Sequence, residues 1–228
     1  MKIIVTCGPS YEPIDEVRRI TNFSTGQMGS RLARTLASAG HEVTCFKGVA
    51  ATTKEHVEPA RLVTFTTNDD LATQLETLPA REDVGAVFHA AALADFKIFW
   101  ERDGLKKISS RAGAVTLQLV PSGKVIHELR ELFPKAKIVG WKYELDGSPK
   151  DVQAKAAQQI AECGTNACIV NGTAYGRGYG VCEPKKPLAH IADKMIPASI
   201  CHLCLFPMNL AGEFSSRNRF PDGGPILA

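Results

Sequence analysis

The sequence predicts an α/β fold in which a mostly parallel sheet lies between two layers of helices. Three observations lead to it. Short apolar runs rich in β-branched residues recur along the chain, the first being Lys2–Cys7, KIIVTC, as in strands buried on both faces. Helical stretches with apolar residues three and four apart separate those runs. Strands linked through helices take right-handed crossovers and pair in parallel. The resulting class is a Rossmann-like three-layer sandwich, and 228 residues suit one large domain.

The first unit, residues 1–39, reads strand, long loop, helix. Gly8 follows the first strand at once, and residues 9–25 form the loop. The helix starts near Gly26 and carries Met28, Leu32, Ala33, Leu36 and Ala37 on one face, with Ser24 and Thr25 as hydroxyl residues at its cap. A second strand spans 42–46 after Gly40, a helix C-cap, and a third spans 61–66. Asn68 or Asp69 caps a helix over 71–78, and 83–90 is a fourth buried strand. Residues 97–111 are polar, charged and without period; 115–120 reads as a strand, an antiparallel edge. A short helix over 123–132, a strand over 136–141, a helix over 150–162 ending at Gly164 and a last clear strand over 167–170 follow. Gly172, Gly176, Gly178 and Gly180 mark a flexible loop. Pro197 and Pro207 interrupt the helix expected after Met195, so 1–194 is read as the functional domain and 195–228 as a weakly structured tail.

Composition narrows the function. Hydrophobic content of 44% and charged content of 22% are those of a globular protein, and a net charge of +3 lacks the concentrated basic face of a nucleic-acid binder. No apolar run approaches the length of a membrane span, and no charged-then-apolar leader stands at the start. Cys7, Cys45 and Cys168 fall in buried strands and read as reduced thiols, which predicts a cytoplasmic protein. Cys201 and Cys204 have C-x-x-C spacing, but Cys182 with His190 or His202 makes a poor second pair, so no metal site is predicted.

The chemistry is expected beyond the carboxyl ends of the strands. Backbone N–H groups at a helix N-terminus favour an anion there, and Gly26 and Gly29 admit a phosphate or a neighbouring strand. The dinucleotide fingerprint G-x-G-x-x-G is absent, and Lys47 rather than an acid follows the second strand. None of the four tyrosines has a lysine four residues later, which argues against a short-chain dehydrogenase-like oxidoreductase. The 9–25 loop is too long for a simple connection and holds Tyr11, Glu12, Asp15, Arg18, Arg19, Thr21 and Asn22. Four segments converge at the strand ends: 8–29, 91–95, the lysines Lys106 and Lys107, and 141–144.

The segment GPSYEPIDEVRRITNFSTGQMG, residues 8–29, resembles the signature of the phosphopantothenoylcysteine synthetases, the phosphopantothenate–cysteine ligases of coenzyme A assembly. AALAD at 91–95, KISS at 107–110 and VGW at 139–141 extend the resemblance over most of the chain. It implies that the carboxylate of 4'-phosphopantothenate attacks a nucleoside triphosphate, CTP first and ATP second. Cysteine then displaces the nucleotide to form an amide. Asn22 is implied to bind the acyl-nucleotide and Lys107 the phosphates, where a cation stabilises the charge of phosphoryl transfer. Asn22 otherwise caps the helix or makes an Asx turn, and Lys106 stands one position away. Nucleotide contacts are implied for Gly8, Ser24, Gly26, Ala91, Asp95, Trp141 and Lys155, and substrate contacts for Arg18, Asn22, Asn171 and Arg177. Arg18 binds an anion or ties the loop to Glu12 or Asp15; Asp95 otherwise caps a turn, and Trp141 otherwise belongs to the core. Gln159 stands where the family often has a second lysine, and the acid usual after Asn171 is missing, a loss for which Arg177 compensates. Mg2+ is expected on the triphosphate rather than in a protein cage. Nothing precedes Met1, so a chain without the decarboxylase half is expected, with a separate decarboxylase downstream and a homodimer completing the site. The altered 171–180 loop keeps a second reading open, a nucleotide-binding regulator without catalysis.

Overall fold

The computed structural model describes residues 1–99, 107–109, 111, 113–192 and 199–200. The chain opens with β1, Lys2–Cys7. The long loop folds into a hairpin of β2, Tyr11–Pro13, and β3, Arg19–Thr21. Then come α1 (Gln27–Ser38), β4 (Glu42–Gly48), β5 (Arg61–Phe65), α2 (Asn68–Glu76) and β6 (Val84–His89). Strands β7 (Phe96–Ile98) and β8 (Leu119–Pro121) form a separate antiparallel ribbon. A 3-10 turn over Val125–His127 leads into the one-turn α3 (Leu129–Leu132), then β9 (Lys137–Tyr143), α4 (Pro149–Cys163), β10 (Ala167–Asn171), β11 (Tyr179–Cys182) and β12 (Ala189–Ile191).

Eight strands make the main sheet in the order β12-β11-β10-β9-β6-β1-β4-β5. The run from β10 to β5 is parallel, as the βα alternation predicts, and β11 and β12 continue it antiparallel. Side chains of β1 alternate between two cores. Ile3, Val5 and Cys7 meet Leu32 and Leu36 of α1, whereas Ile4 joins Leu71 and Leu75 of α2 on the other face. A third cluster sets Val152 and Ala156 of α4 against Cys168 and Val170 of β10. Cys7 and Cys45 are buried free thiols with their sulfurs 3.7 Å apart. No helix of the described residues is long and apolar enough to cross a membrane.

Several local expectations need correction. The N-cap of α1 is Gly26, not Ser24 or Thr25. Its φ of 75° is open to glycine, and a Cβ there would lie 3.1 Å from Ala51 Cβ; the Thr25 hydroxyl still accepts from Gln27 N–H. Thr67, in extended backbone, caps α2 by accepting from Asp70 N–H, which frees Asn68 to turn inward. The edge strand expected over 115–120 shortens to β8 and leaves the main sheet for the β7 ribbon. Residues 179–180, expected in a flexible loop, belong to β11. Gly180 is there because a Cβ would sit 2.7 Å from Val170 Cγ2 and 2.8 Å from the Tyr175 ring. The expected boundary at 195 falls outside the described residues, as do Lys106, Cys201 and Cys204; Ile200, beyond it, is buried in the same cluster as Ile3 and Leu32.

Candidate functional site

The carboxyl ends of β1 and β6 lie side by side, and the chain beyond them stays paired. Ala92 N–H donates to Gly8 C=O at 2.9 Å, and Ser10 N–H donates to Ala92 C=O at 3.3 Å. The Asn22 amide crosses this seam, with Nδ2 donating to Ala92 C=O at 3.1 Å and to Leu93 C=O at 3.0 Å. Gly26 closes on the same place, where its added Cβ would meet Gly8 Cα at 3.2 Å. Gly8, Asn22, Gly26 and the 91–93 backbone thus share one corner, with the N-terminus of α1 opening onto it.

Two buried networks hold that corner. Asn68 donates from Nδ2 to Ala94 C=O at 2.7 Å and to Ser122 Oγ at 3.0 Å, while Ala94 N–H donates to Asn68 Oδ1 at 3.2 Å and to Ser10 Oγ at 2.9 Å. Behind it, Thr6 Oγ1 accepts from Ala91 N–H at 3.3 Å and lies 2.9 Å from His89 Nδ1. The Thr6 hydroxyl, with one proton and two lone pairs, links the Ala91 backbone to the buried imidazole. Burial pushes the His89 imidazole down to about 4, which keeps it neutral in this role. Burial also raises the Glu12 carboxyl, whose Oε1 accepts from Asn68 N–H.

The β2–β3 hairpin brings in positive charge. Arg19 lies over the Tyr11 ring at 4.8 Å. Arg18 pairs with Asp15 and donates to Ile108 C=O at 3.1 Å, and Asp15 in turn accepts from Ile108 N–H at 3.0 Å. Lys107, the residue before Ile108, is exposed beside the hairpin that leads to Asn22. Those contacts, with the Val17 and Arg18 N–H groups, hold the Asp15 carboxyl down at about 2, the Ile108 bond foremost.

Trp141, Lys155 and Asn171 lie on β9, α4 and β10, away from the Asn22 corner in sequence. Trp141 is half-buried and packs on the first core cluster. Lys155 pairs with Glu144, which raises its ammonium further, while Glu144 N–H donates to Asn171 C=O at 3.0 Å. Asn171 Oδ1 is a buried acceptor with no hydrogen-bond partner among the described residues. Arg177 is exposed on the loop beyond. Asp95, expected near the base, is exposed and faces Lys124 at 3.8 Å. Gln159, expected where the family often has a lysine, is buried beneath Gly140, so that position does not offer a side chain to solvent.

Asn68, Ser10, Thr6 and His89 were not read as functional from the sequence. Their partners lie 26 to 85 residues away, and no local spacing signals such bonds. Among the described residues no three His, Cys, Asp or Glu side chains are grouped to hold a metal ion. The nearby acids are engaged: Asp15 by amides and Arg18, Glu144 by Lys155 and Asp95 by Lys124. This donor set does not fit a protein-held Mg2+ site.

A mostly parallel sheet with glycines, amides and cations at one end of its strands defines an α/β domain of the Rossmann-like class. The particular family follows from comparison. The DNA/pantothenate metabolism flavoprotein C-terminal domain matches residues 1–194, and the chain belongs to that family. The coenzyme A biosynthesis bifunctional protein CoaBC of Thermococcus kodakarensis is 31% identical over 170 residues, covering 75% of this chain and 41% of that protein. Its Bacillus subtilis namesake is 29% identical over 182 residues, covering 78% and 42%. The chain thus spans about two fifths of the length of these curated relatives. The crystal structure of the DNA/pantothenate metabolism flavoprotein from Streptococcus pneumoniae superposes with a TM-score of 0.75 at 23% identity, covering 90% of this chain and 99% of that one, and has the same fold.

Proposed function

We propose that the chain is a phosphopantothenate–cysteine ligase. It activates the carboxylate of 4'-phosphopantothenate as an acyl-nucleotide and passes the acyl group to the amine of cysteine. Splitting the reaction avoids attack on an unactivated carboxylate. The observation that carries the reading is the Asn22 amide, bonded to two carbonyls of the 92–93 backbone at the corner where Gly8 and Gly26 meet the α1 N-terminus. The family match and the coenzyme A biosynthesis relatives support it.

In this reading the α1 N-terminus and the small residues Gly8, Ser24 and Gly26 receive phosphate, and the 91–95 backbone meets the base edge. Lys107 stabilises phosphoryl charge, and Asn22 orients the acyl-nucleotide. Trp141, Lys155, Asn171 and Arg177 line the far side, where Asn171 Oδ1 is an acceptor with capacity to spare. Asp95 is kept as a residue near the base. Magnesium would arrive on the triphosphate oxygens, and CTP is preferred to ATP. The free thiols Cys7, Cys45, Cys163, Cys168 and Cys182 suit a reducing cytoplasm. A homodimer completes the picture, with 1–194 as the catalytic domain.

Steady-state release of pyrophosphate tests the reading. It should require phosphopantothenate, cysteine and a nucleoside triphosphate together, with CTP faster than ATP. Nucleotide binding without turnover would favour the regulator instead, and hydride transfer to a nicotinamide would favour the oxidoreductase.

A further inference from the structure

Lys107 belongs to a segment remote in sequence from the hairpin, and one carboxylate accounts for where that segment sits. The Asp15 side chain is 0% exposed. Its two oxygens serve different partners. Oδ1 accepts from Val17 N–H at 2.9 Å and Arg18 N–H at 2.8 Å, closing its own turn. Oδ2 accepts from Ile108 N–H at 3.0 Å and pairs with the Arg18 guanidinium, which also donates to Ile108 C=O at 3.1 Å. Both backbone polar groups of Ile108 are therefore bound by the hairpin turn. A simple Asx turn needs only Oδ1; the second oxygen and the guanidinium are committed to the other segment. We propose that Asp15 is a positioning residue for the reaction: through Oδ2 and Arg18 it docks the backbone at Ile108 and so fixes where Lys107 presents its ammonium. The proposal rests on the ligase reading for the role of Lys107, but the docking itself does not.

Asp15→Asn separates the two halves of the carboxylate. The amide keeps Oδ1 for the turn and sets an NH2 against Ile108 N–H, donor against donor. In the full chain, hydrogen exchange at the Ile108 amide should rise about tenfold or more, while exchange at Ile14, bonded to Arg18 C=O, stays within about twofold. Unchanged exchange at Ile108 overturns the docking. Faster exchange at Ile108 and Ile14 alike also overturns it, because the turn rather than the latch would then be what Asp15 holds. A double-mutant cycle with Lys107→Ala tests the positioning. Asp15→Asn should lower kcat about tenfold in the wild-type background and less than about twofold beside Lys107→Ala. Equal losses in both backgrounds overturn the link to Lys107. The same cycle read on the dissociation constants for CTP and ATP needs no turnover. If the wild-type chain makes no product, the ligase reading fails, and exchange and nucleotide affinity still decide the latch.

Discussion

Asn22 uses its side-chain amide to bind the carbonyls of Ala92 and Leu93, which leaves Oδ1 for a ligand. Asn22→Ala should let the acyl-nucleotide accumulate and slow its conversion to the amide by about tenfold or more, the scale of one lost hydrogen bond to a charged or reacting group. Rapid quench and separation of the intermediate measures this; a wild-type second step would remove Asn22 from the chemistry. His89 acts at the same scale through protons. Its folded value near 4 lies below the unfolded 6.5, so the unfolded chain binds more protons between those pH values. Its contribution is flat above pH 6.5 and falls as the solution is acidified, by on the order of 3 kcal/mol once pH reaches 4. Urea titrations across that window should show the slope in the wild type and a shallower one in His89→Gln, whose amide can either donate to Thr6 or accept from it. Identical slopes would mean that the imidazole is not held neutral.

At the scale of elements, the contact of α1 with β1 sets the corner. A Cβ on Gly29 would lie 2.3 Å from Cys7 Cβ, so Gly29→Ala must lift the helix from the strand. We expect a loss of about 2 kcal/mol despite the gain in helix propensity. Gly123→Ala, with nothing within 4 Å, should be close to neutral, and urea midpoints compare the two. The elements that hold this corner were legible in the sequence for a reason. Strand β1 is buried on both faces and reads as an unbroken apolar run, and α1 repeats its apolar residues over 12 positions. Gly164 ends α4 in the left-handed region, as a glycine after a helix should. The hairpin of β2 and β3 was hidden because three-residue strands have no period to detect. Asn68 was misread as a cap because Asn has two uses, and only the fold decides that its amide turns toward Ala94. Arg18 was open between an anion and the loop acids; the structure ties it to Asp15, and no spacing in the sequence points to Ile108. The sites at 171–180 were the hardest to read, since Gly178 and Gly180 look like flexibility and are instead close packing against His190 and Val170.

For the whole molecule, the β7–β8 ribbon stands apart from the main sheet. Among the described residues its two strands pair only with each other, so each has an edge with no strand beside it there. Phe96, Leu119 and the adjoining Phe99 are 52%, 49% and 47% exposed, large apolar side chains held out on a thin element. A second copy meeting it about a two-fold axis would bury these side chains and pair the edges. We therefore expect a particle near twice 24.6 kDa in sedimentation velocity. Phe96→Asp with Phe99→Asp should convert it to monomer and leave the monomer folded, because neither side chain belongs to a core cluster. The ribbon begins one residue after Asp95 and bonds back to it through Ser122 N–H at 2.8 Å, so a partner seated there stands beside the 91–95 backbone. If that partner completes the site, the monomeric variant loses turnover in proportion to the dimer it loses, and activity of the wild type falls on dilution through the same concentration range. A monomeric variant with wild-type kcat would separate the ribbon from the reaction and leave each chain with a complete site of its own.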